Sequence, residues 1–168
     1  NPDYIKTFVK NLGINYGDEL YESAAIGGFD GVSPVQMSAA YAAYGRDGYY
    51  IEPYSYKEAT LLENGKVYTK KNEKVKVMSE ETAYMITSIL MTAAERGVGG
   101  VSVSGTNIAA KSGTTNLDKA TTEKLGIPAS ATRDAWNITY SPEYSIALWI
   151  GYDINNSDHY LTATIGGR

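Results

Sequence analysis

The stretch DAWNITYSPEYSIALWIGYD, Asp134 to Asp153, constrains the fold more than any other part of this chain. It holds two runs rich in β-branched and aromatic residues, separated only by Ser141-Pro142-Glu143. So short a link joins antiparallel neighbours, because a parallel pair needs a crossover of a dozen or more residues. The late part of the chain is therefore expected to build an antiparallel sheet.

Helix signals dominate the first half. Asn1 is a good cap and Pro2 suits a first helical position. Tyr4, Ile5, Phe8, Val9 and Leu12 recur at helical spacing until Gly13 stops them. In GFDGVSPVQMSAAYAAYGRDG, Ser33 caps, Pro34 opens the helix and Gln36 can close a capping box. Val35, Ala39, Ala40, Tyr41 and Ala43 make a small-residue face, and Gly45 to Gly48 end it. Tyr49 to Val77 reads as strands. Asn64-Gly65 is expected to make a two-residue hairpin turn, and EKVKV alternates as another strand. Ser79 opens a further helix that runs through Tyr84, Met85, Ile89, Leu90 and Ala93 to Gly97. Glu80 and Glu81 fall in its first turn, where the helix dipole favours acids, and that accounts for them without an acid/base role. A glycine-rich link leads to a strand in NIAAKSGTTN. LDKATTEKLGIPASATR reads as a long polar loop beside it. The expected fold is α+β, with helices packed against one antiparallel sheet and no domain boundary.

Composition excludes several chemistries. The 168 residues contain no cysteine and a single histidine, His159, so a zinc site of His and Cys ligands is not available. Neither a metal nor any other cofactor is expected. His159 sits among Asn, Ser and Asp and reads as an exposed loop residue. Net charge is −4 with no basic stripe, which argues against nucleic acid as a partner. No apolar run reaches the ~18 residues needed to span a bilayer.

The candidate site is Lys111-Ser112-Gly113-Thr114-Thr115. On a strand, Ser112 and Thr114 point one way and Gly113 the other, which lets the backbone lie close to whatever packs there. The hydroxyls of Ser112 and Thr114 can hold a carboxylate. Lys111 can supply positive potential and steady a hydroxyl network. The Thr114 N–H can donate to a developing oxyanion. An activated nucleophile is missing. A phosphate loop is the competing reading, since GTNIAAKS approaches G-x-x-x-x-G-K-[ST]. Ala110 replaces the second glycine, and Gly113 with two threonines is poor helix material. An incidental lysine at a strand edge is the third.

Four segments in order decide between these readings. GVSPVQMSAAYAAYGRDGYYIEPY, SEETAYMITSILMTAAERGVG, AAKSGTTN and RDAWNITYSPEYSIALWIGYD together resemble the transpeptidase domain of class A penicillin-binding proteins, a serine β-lactamase-like fold. Asp134, Trp136 and the Tyr140-Ser141-Pro142 turn are in place. The resemblance covers most of the chain and implies a peptidoglycan D,D-transpeptidase. A serine of an S-x-x-K motif attacks the D-Ala-D-Ala end of a stem peptide, and a neighbouring amine takes the acyl group. β-Lactams acylate the same serine. By position, Lys111 and the Thr114 N–H would be catalytic. Ser112, Gly113, Thr114 and Thr115 would bind substrate. The sequence contains neither S-x-x-K nor S-x-N. The resemblance thus implies a C-terminal portion of the domain, whose nucleophile-bearing part lies upstream or on a separate chain. Alone this portion is expected to be inactive. The first helices are expected to turn apolar faces to that partner, and the boundary at Gly166-Gly167-Arg168 is consistent with tryptic cleavage. The family context places the protein on the outer face of a bacterial cytoplasmic membrane, anchored by a segment absent from this chain. A D,D-carboxypeptidase or β-lactamase, and a non-catalytic sensor of peptidoglycan or β-lactam, are the alternatives.

Overall fold

The computed structural model describes residues 2–15, 24, 31–97 and 102–162. Asn1, the link at 98–101 and the boundary at 166–168 lie outside them. Helices α1 (Pro2–Asn11), α2 (Pro34–Ala42) and α3 (Glu80–Arg96) occupy the expected places. The Ser33–Gln36 capping box is complete, and Ser79 caps α3 through the Thr82 N–H. In α2 the buried face is Ala39, Ala40 and Ala42, with Ala43 just beyond it, while Val35 is exposed. The four alanines bring α2 close to the sheet.

The sheet is less simple than expected. A main antiparallel sheet carries β5 (Ala109–Asn116), β6 (Ala131–Tyr140) and β7 (Ser145–Gly151) in that order, and the short β8 (Leu161–Thr162) also pairs with β6. Two separate two-stranded ribbons stand beside it. One pairs β1 (Tyr49–Ile51) with β4 (Lys74–Lys76). The other pairs β2 (Glu58–Thr60) with β3 (Val67–Thr69). Each ribbon strand has three residues, too few to extend a sheet that must cover a helix.

Two further readings are corrected. The Asn64-Gly65 turn is not a two-residue one. Leu61 donates to the Lys66 carbonyl at 2.9 Å and Gly65 to the Leu61 carbonyl at 2.8 Å, so the loop spans Leu62 to Gly65 with Gly65 left-handed (φ 68°). The polar loop after β5 contains a helix, α4 (Lys119–Leu125). The Asp118 carboxylate caps it by accepting the Thr121 N–H, and Gly126 ends it in the left-handed region. Pro128 follows two residues later.

Two apolar clusters hold these parts together. Leu12, Ile14, Ala39, Ala40, Ala43 and Tyr50 join α1 and α2 to β1. Leu90, Ala109 and Tyr140 join α3 to the main sheet. Helix α2 is also pinned to β7: Ser38 and Ser145 each donate a side-chain hydroxyl to the other's carbonyl, both at 2.8 Å.

Gly48 is a tight junction between helices and strands, closed against backbone. It is left-handed (φ 84°), its carbonyl accepts the Val77 N–H at 2.9 Å, and a β-carbon there would stand 2.3 Å from the Met78 carbonyl oxygen. Gly126 is also left-handed but has open space around it. Gly126→Ala should cost about 1 kcal/mol, the usual strain of a left-handed residue, and Gly48→Ala at least twice that. Urea unfolding of the two variants checks the order; equal losses would show that the Met78 contact relaxes freely.

Candidate active site

The main sheet sets out three rows across β5, β6 and β7. The first is Lys111, Ile138 and Ala147; the second Gly113, Trp136 and Trp149; the third Thr115, Asp134 and Gly151. Alternation puts all three rows on one face. That face floors an open cleft of about 950 Å³, walled on the other side by Met37, Ala40, Tyr41 and Tyr44. Helix α3 buries Ala109 and Ala110 at the start of β5 and leaves Lys111 to Asn116 at the cleft margin.

All five sequence-predicted residues line this cleft. Lys111 and Thr115 point to the cleft face with Gly113 between them. Ser112 and Thr114 have the opposite parity, but β5 is an edge strand, so they border the cleft from its rim. A β-carbon on Gly113 would make only an ordinary contact with Trp136, at 3.6 Å. Nothing described packs on Gly113, and its bare backbone lies open to the cleft. The Lys111 ammonium donates to the Ser112 carbonyl at 2.6 Å. Among the described residues it meets no hydroxyl, so the network expected for it is not formed within this chain. The strand continues through the lysine to Asn116, so no helix begins there, which removes the phosphate-loop reading. His159 is exposed and stacks on Tyr152 (centroids 5.0 Å apart) in a turn held by the Asn156 side chain. It is not among the residues that line the cleft.

Sequence reasoning did not place Tyr41 and Tyr44 at the cleft. They form an aromatic cluster with Tyr140, with edge-on contacts of 5.6 and 6.4 Å from Tyr41. Tyr140 shares a 2.9 Å hydrogen bond with Thr87. Burial pushes the Tyr41 hydroxyl up to about 12, with Tyr44 and Tyr140 adding to the effect, and burial raises Tyr44 and Tyr140 as well. The wall is therefore neutral at all physiological pH. Tyr41 was legible on a helix face and Tyr44 was not singled out, and nothing in the spacing said which cavity they would face.

A helix-backed antiparallel sheet whose edge strand presents Lys-Ser-Gly-Thr to a cleft is the arrangement of the penicillin-binding and serine β-lactamase class. Comparison with known proteins agrees. The family model for the penicillin binding protein transpeptidase domain matches residues 4–164. Penicillin-binding protein 1A/1B of Bacillus subtilis (strain 168) is 37% identical over 155 residues, which cover 89% of this chain and 17% of that protein. Penicillin-binding protein 1F of the same organism is 32% identical, over 94% of this chain and 21% of that protein. Among solved structures, penicillin-binding protein 3 of Mycobacterium tuberculosis, complexed with aztreonam, superposes with a TM-score of 0.69 at 18% identity, covering 97% of this chain and 43% of that one. The chain belongs to the penicillin-binding protein transpeptidase family. It spans about a fifth of the length of the curated relatives it matches. No helix among its described residues is long and apolar enough to cross a membrane.

The tyrosine wall makes a pH prediction. These phenols are neutral in the folded chain above the ordinary phenol pKa of about 10, where an unfolded chain has begun to release their protons. The unfolded state then binds fewer protons, so the stability these tyrosines contribute is fully present up to about pH 10 and is lost between 10 and 12. Absorbance titration at 295 nm should show late-titrating tyrosines among the fifteen, one fewer in Tyr41→Phe. Uniform titration near 10 would place the wall in solvent.

Proposed function

We propose that this chain is the C-terminal portion of a single peptidoglycan D,D-transpeptidase domain, and that its β5 edge is one half of a serine acyl-transfer site. The observation that carries the reading is the position of Lys111 to Thr115 on β5, an edge strand among the described residues, lining an open cleft in a chain of this family. A substrate lying along that edge meets three functions. The Ser112 and Thr114 hydroxyls receive its carboxylate. The Thr114 N–H stabilises the oxyanion as the carbonyl is attacked, an effect worth roughly 2.7–4 kcal/mol of barrier. Lys111 supplies the cation that favours proton movement away from the attacking hydroxyl. The nucleophilic serine comes from the preceding part of the domain, whose docking fills the cleft and gives Lys111 a hydroxyl in place of the Ser112 carbonyl. The acyl group then passes to an amine of a neighbouring strand. Penicillin-binding protein A of Mycobacterium tuberculosis, a structural neighbour, forms an acyl-enzyme with imipenem; the same acylation by β-lactams is proposed for the protein that carries this chain. It acts at the outer face of the bacterial cytoplasmic membrane, anchored by another segment.

Exposed aromatic side chains support a covering partner. Tyr4 at 75% and Tyr84 at 74% exposure are among the aromatic side chains left uncovered.

Fluorescent penicillin, read by intact mass, tests the reading on this chain alone and on this chain mixed with the part of the domain that precedes it. Label is expected only in the mixture, and only on the preceding piece. Lys111→Ala should slow acylation by about 10²-fold or more with the fold retained. Thr114→Val should weaken binding of carboxylate-bearing β-lactams more than it lowers the melting temperature. Acyl-enzyme that goes to water rather than to an added amine would favour a carboxypeptidase or β-lactamase. Binding without acylation would favour a sensor. No binding at all by two folded pieces would sink the proposal.

A further inference from the structure

The polar row on β5 does not end with Thr115. Ser112, Thr114 and Asn116 share one parity along this edge strand, and all three border the cleft from its rim. Asn116 stands two residues past Thr114, about 7 Å at strand rise. Its carboxamide both donates and accepts hydrogen bonds. A ligand that lies along this edge with its carboxylate on Ser112 and Thr114 therefore meets Asn116 next.

The neighbouring strand leaves regular pairing at this same point. Thr115 pairs with Asp134 but Asn116 pairs with Thr132, so β6 carries one extra residue, Arg133. Cross-strand partners share a face. Thr115 and Asp134 take the cleft face, and Asn116 and Thr132 take the other parity. Plain alternation would put Thr132 and Asp134 on one face, so the bulge at Arg133 absorbs the change and re-aims its side chain. On its other side β6 changes neighbour here too, from β7 at Asp134 to β8 at Thr132. The backbone beside the bulge is fixed. Ala131 and Thr132 are 0% and 2% exposed, and the Ala131 carbonyl accepts the Leu117 N–H at 3.1 Å, closing the excursion through α4. Arg133 itself is exposed and lines the cleft. A register shift in a central strand thus presents an arginine beside Asn116.

Lys111 and Arg133 are the two cationic residues among those described at the cleft. Lys111 and Asn116, at opposite ends of the rim, lie about 17 Å apart at strand rise. Asp134 and Asp153 also border the cleft, so Arg133 does not act through a uniformly positive field. It acts through shape: a planar fork of five N–H donors, more than one neighbour takes up, that matches a carboxylate in two parallel hydrogen bonds. We propose that Asn116 and Arg133 form a subsite for a carboxylate on a side chain of the acyl donor, set back from the terminal carboxylate that Ser112 and Thr114 receive. The inference rests on the acyl-transfer reading above and names the charge that site selects.

The test uses the complete protein that carries this chain. Two peptides ending in D-Ala-D-Ala are compared, identical except for glutamate or glutamine at the residue before that pair. Every kcat/KM is divided by the same variant's acylation rate with benzylpenicillin, so loss of folded protein cancels. Wild type should prefer the glutamate peptide by about fivefold, and Arg133→Gln should bring that preference close to one. Arg133→Lys should keep part of it, because the charge stays and the fork is lost. Asn116→Ala should lower it by about twofold, the loss of one donor. Added salt should shrink the wild-type preference and leave that of Arg133→Gln flat. A merely structural role would slow both peptides together and leave their ratio unmoved. Equal slowing of the two peptides, no wild-type preference, or a wild-type preference kept by Arg133→Gln would overturn the subsite, with the acyl-transfer reading intact as long as benzylpenicillin acylates the wild type. Wild-type protein that benzylpenicillin fails to acylate would overturn the acyl-transfer reading itself, and the subsite with it.

Discussion

Everything at the cleft depends on how β6 is paired. Its ten residues bind β5 along one side and β7, then β8, along the other. This double pairing fixes the height of each row on the sheet. Slipping β5 by one residue against β6 would send Lys111 to the opposite face and bring Ser112 to the floor. The register is held at one end by Tyr140, buried against Leu90 and Ala109, and at the other by an irregularity between Thr115 and Asn116 that turns the chain away toward α4. Between these two points the strand has no freedom to choose. The position of a lysine in a solvent-filled cleft is thus decided by an apolar cluster that never touches it.

Much of this was legible in the sequence, and for identifiable reasons. The Ser-Pro-Glu link predicted the β6–β7 pair because so few residues between two strands admit one topology. The Ser141 hydroxyl accepts the N–H groups of Glu143 and Tyr144, which closes that turn as expected of a serine there. Ser33 with Gln36, and Ser79, declared their helices because caps are local chemistry. What failed was also local but was outweighed. Helix α4 has an Asp cap, a glycine stop and a following proline, all readable. Its seven residues lack the long apolar stripe by which helices are usually found, since only Thr122 in it is buried. The Asn64-Gly65 pair signalled a hairpin correctly and its length wrongly, because left-handed glycine serves four-residue loops as well as two-residue ones.

The site was legible as a set of residues and not as a geometry. Parity along β5 correctly separated Ser112 and Thr114 from Gly113. It could not say that β5 lies at the edge of the sheet, and the edge is what lets both parities border one cleft. Asp134 and Trp149 lie far from the Lys-Ser-Gly-Thr string in sequence, and only the β6 and β7 registers bring them to its row. The Lys111 ammonium bound to the Ser112 carbonyl shows the same limit. Sequence can nominate a cation for a hydroxyl network, but the hydroxyls have to come from elements that share its cleft.

The interior explains why such a chain is better as part of something larger. Among the described residues the fully or nearly buried positions are mostly alanines, and the largest side chain completely removed from solvent is Thr132. Burying an alanine withdraws few methylene groups, each worth about 0.8 kcal/mol, so a core of this kind gains little against the entropy of ordering the backbone. Yet small residues are what allow α2 to lie close on the sheet and keep Ala39, Ala40 and Ala43 packed beside Tyr50. The larger apolar groups are elsewhere: Tyr41, Tyr44, Trp136 and Trp149 line the cleft, and Ile146, Leu148 and Ile150 form a ladder on the sheet's other face with exposures of 64%, 55% and 42%. Two apolar surfaces on opposite sides of one thin sheet are what the middle layer of a thicker domain presents. If the proposed docking occurs, the contact that would complete the active site would also supply the burial that the alanine interior lacks, and stability and catalysis would be lost together.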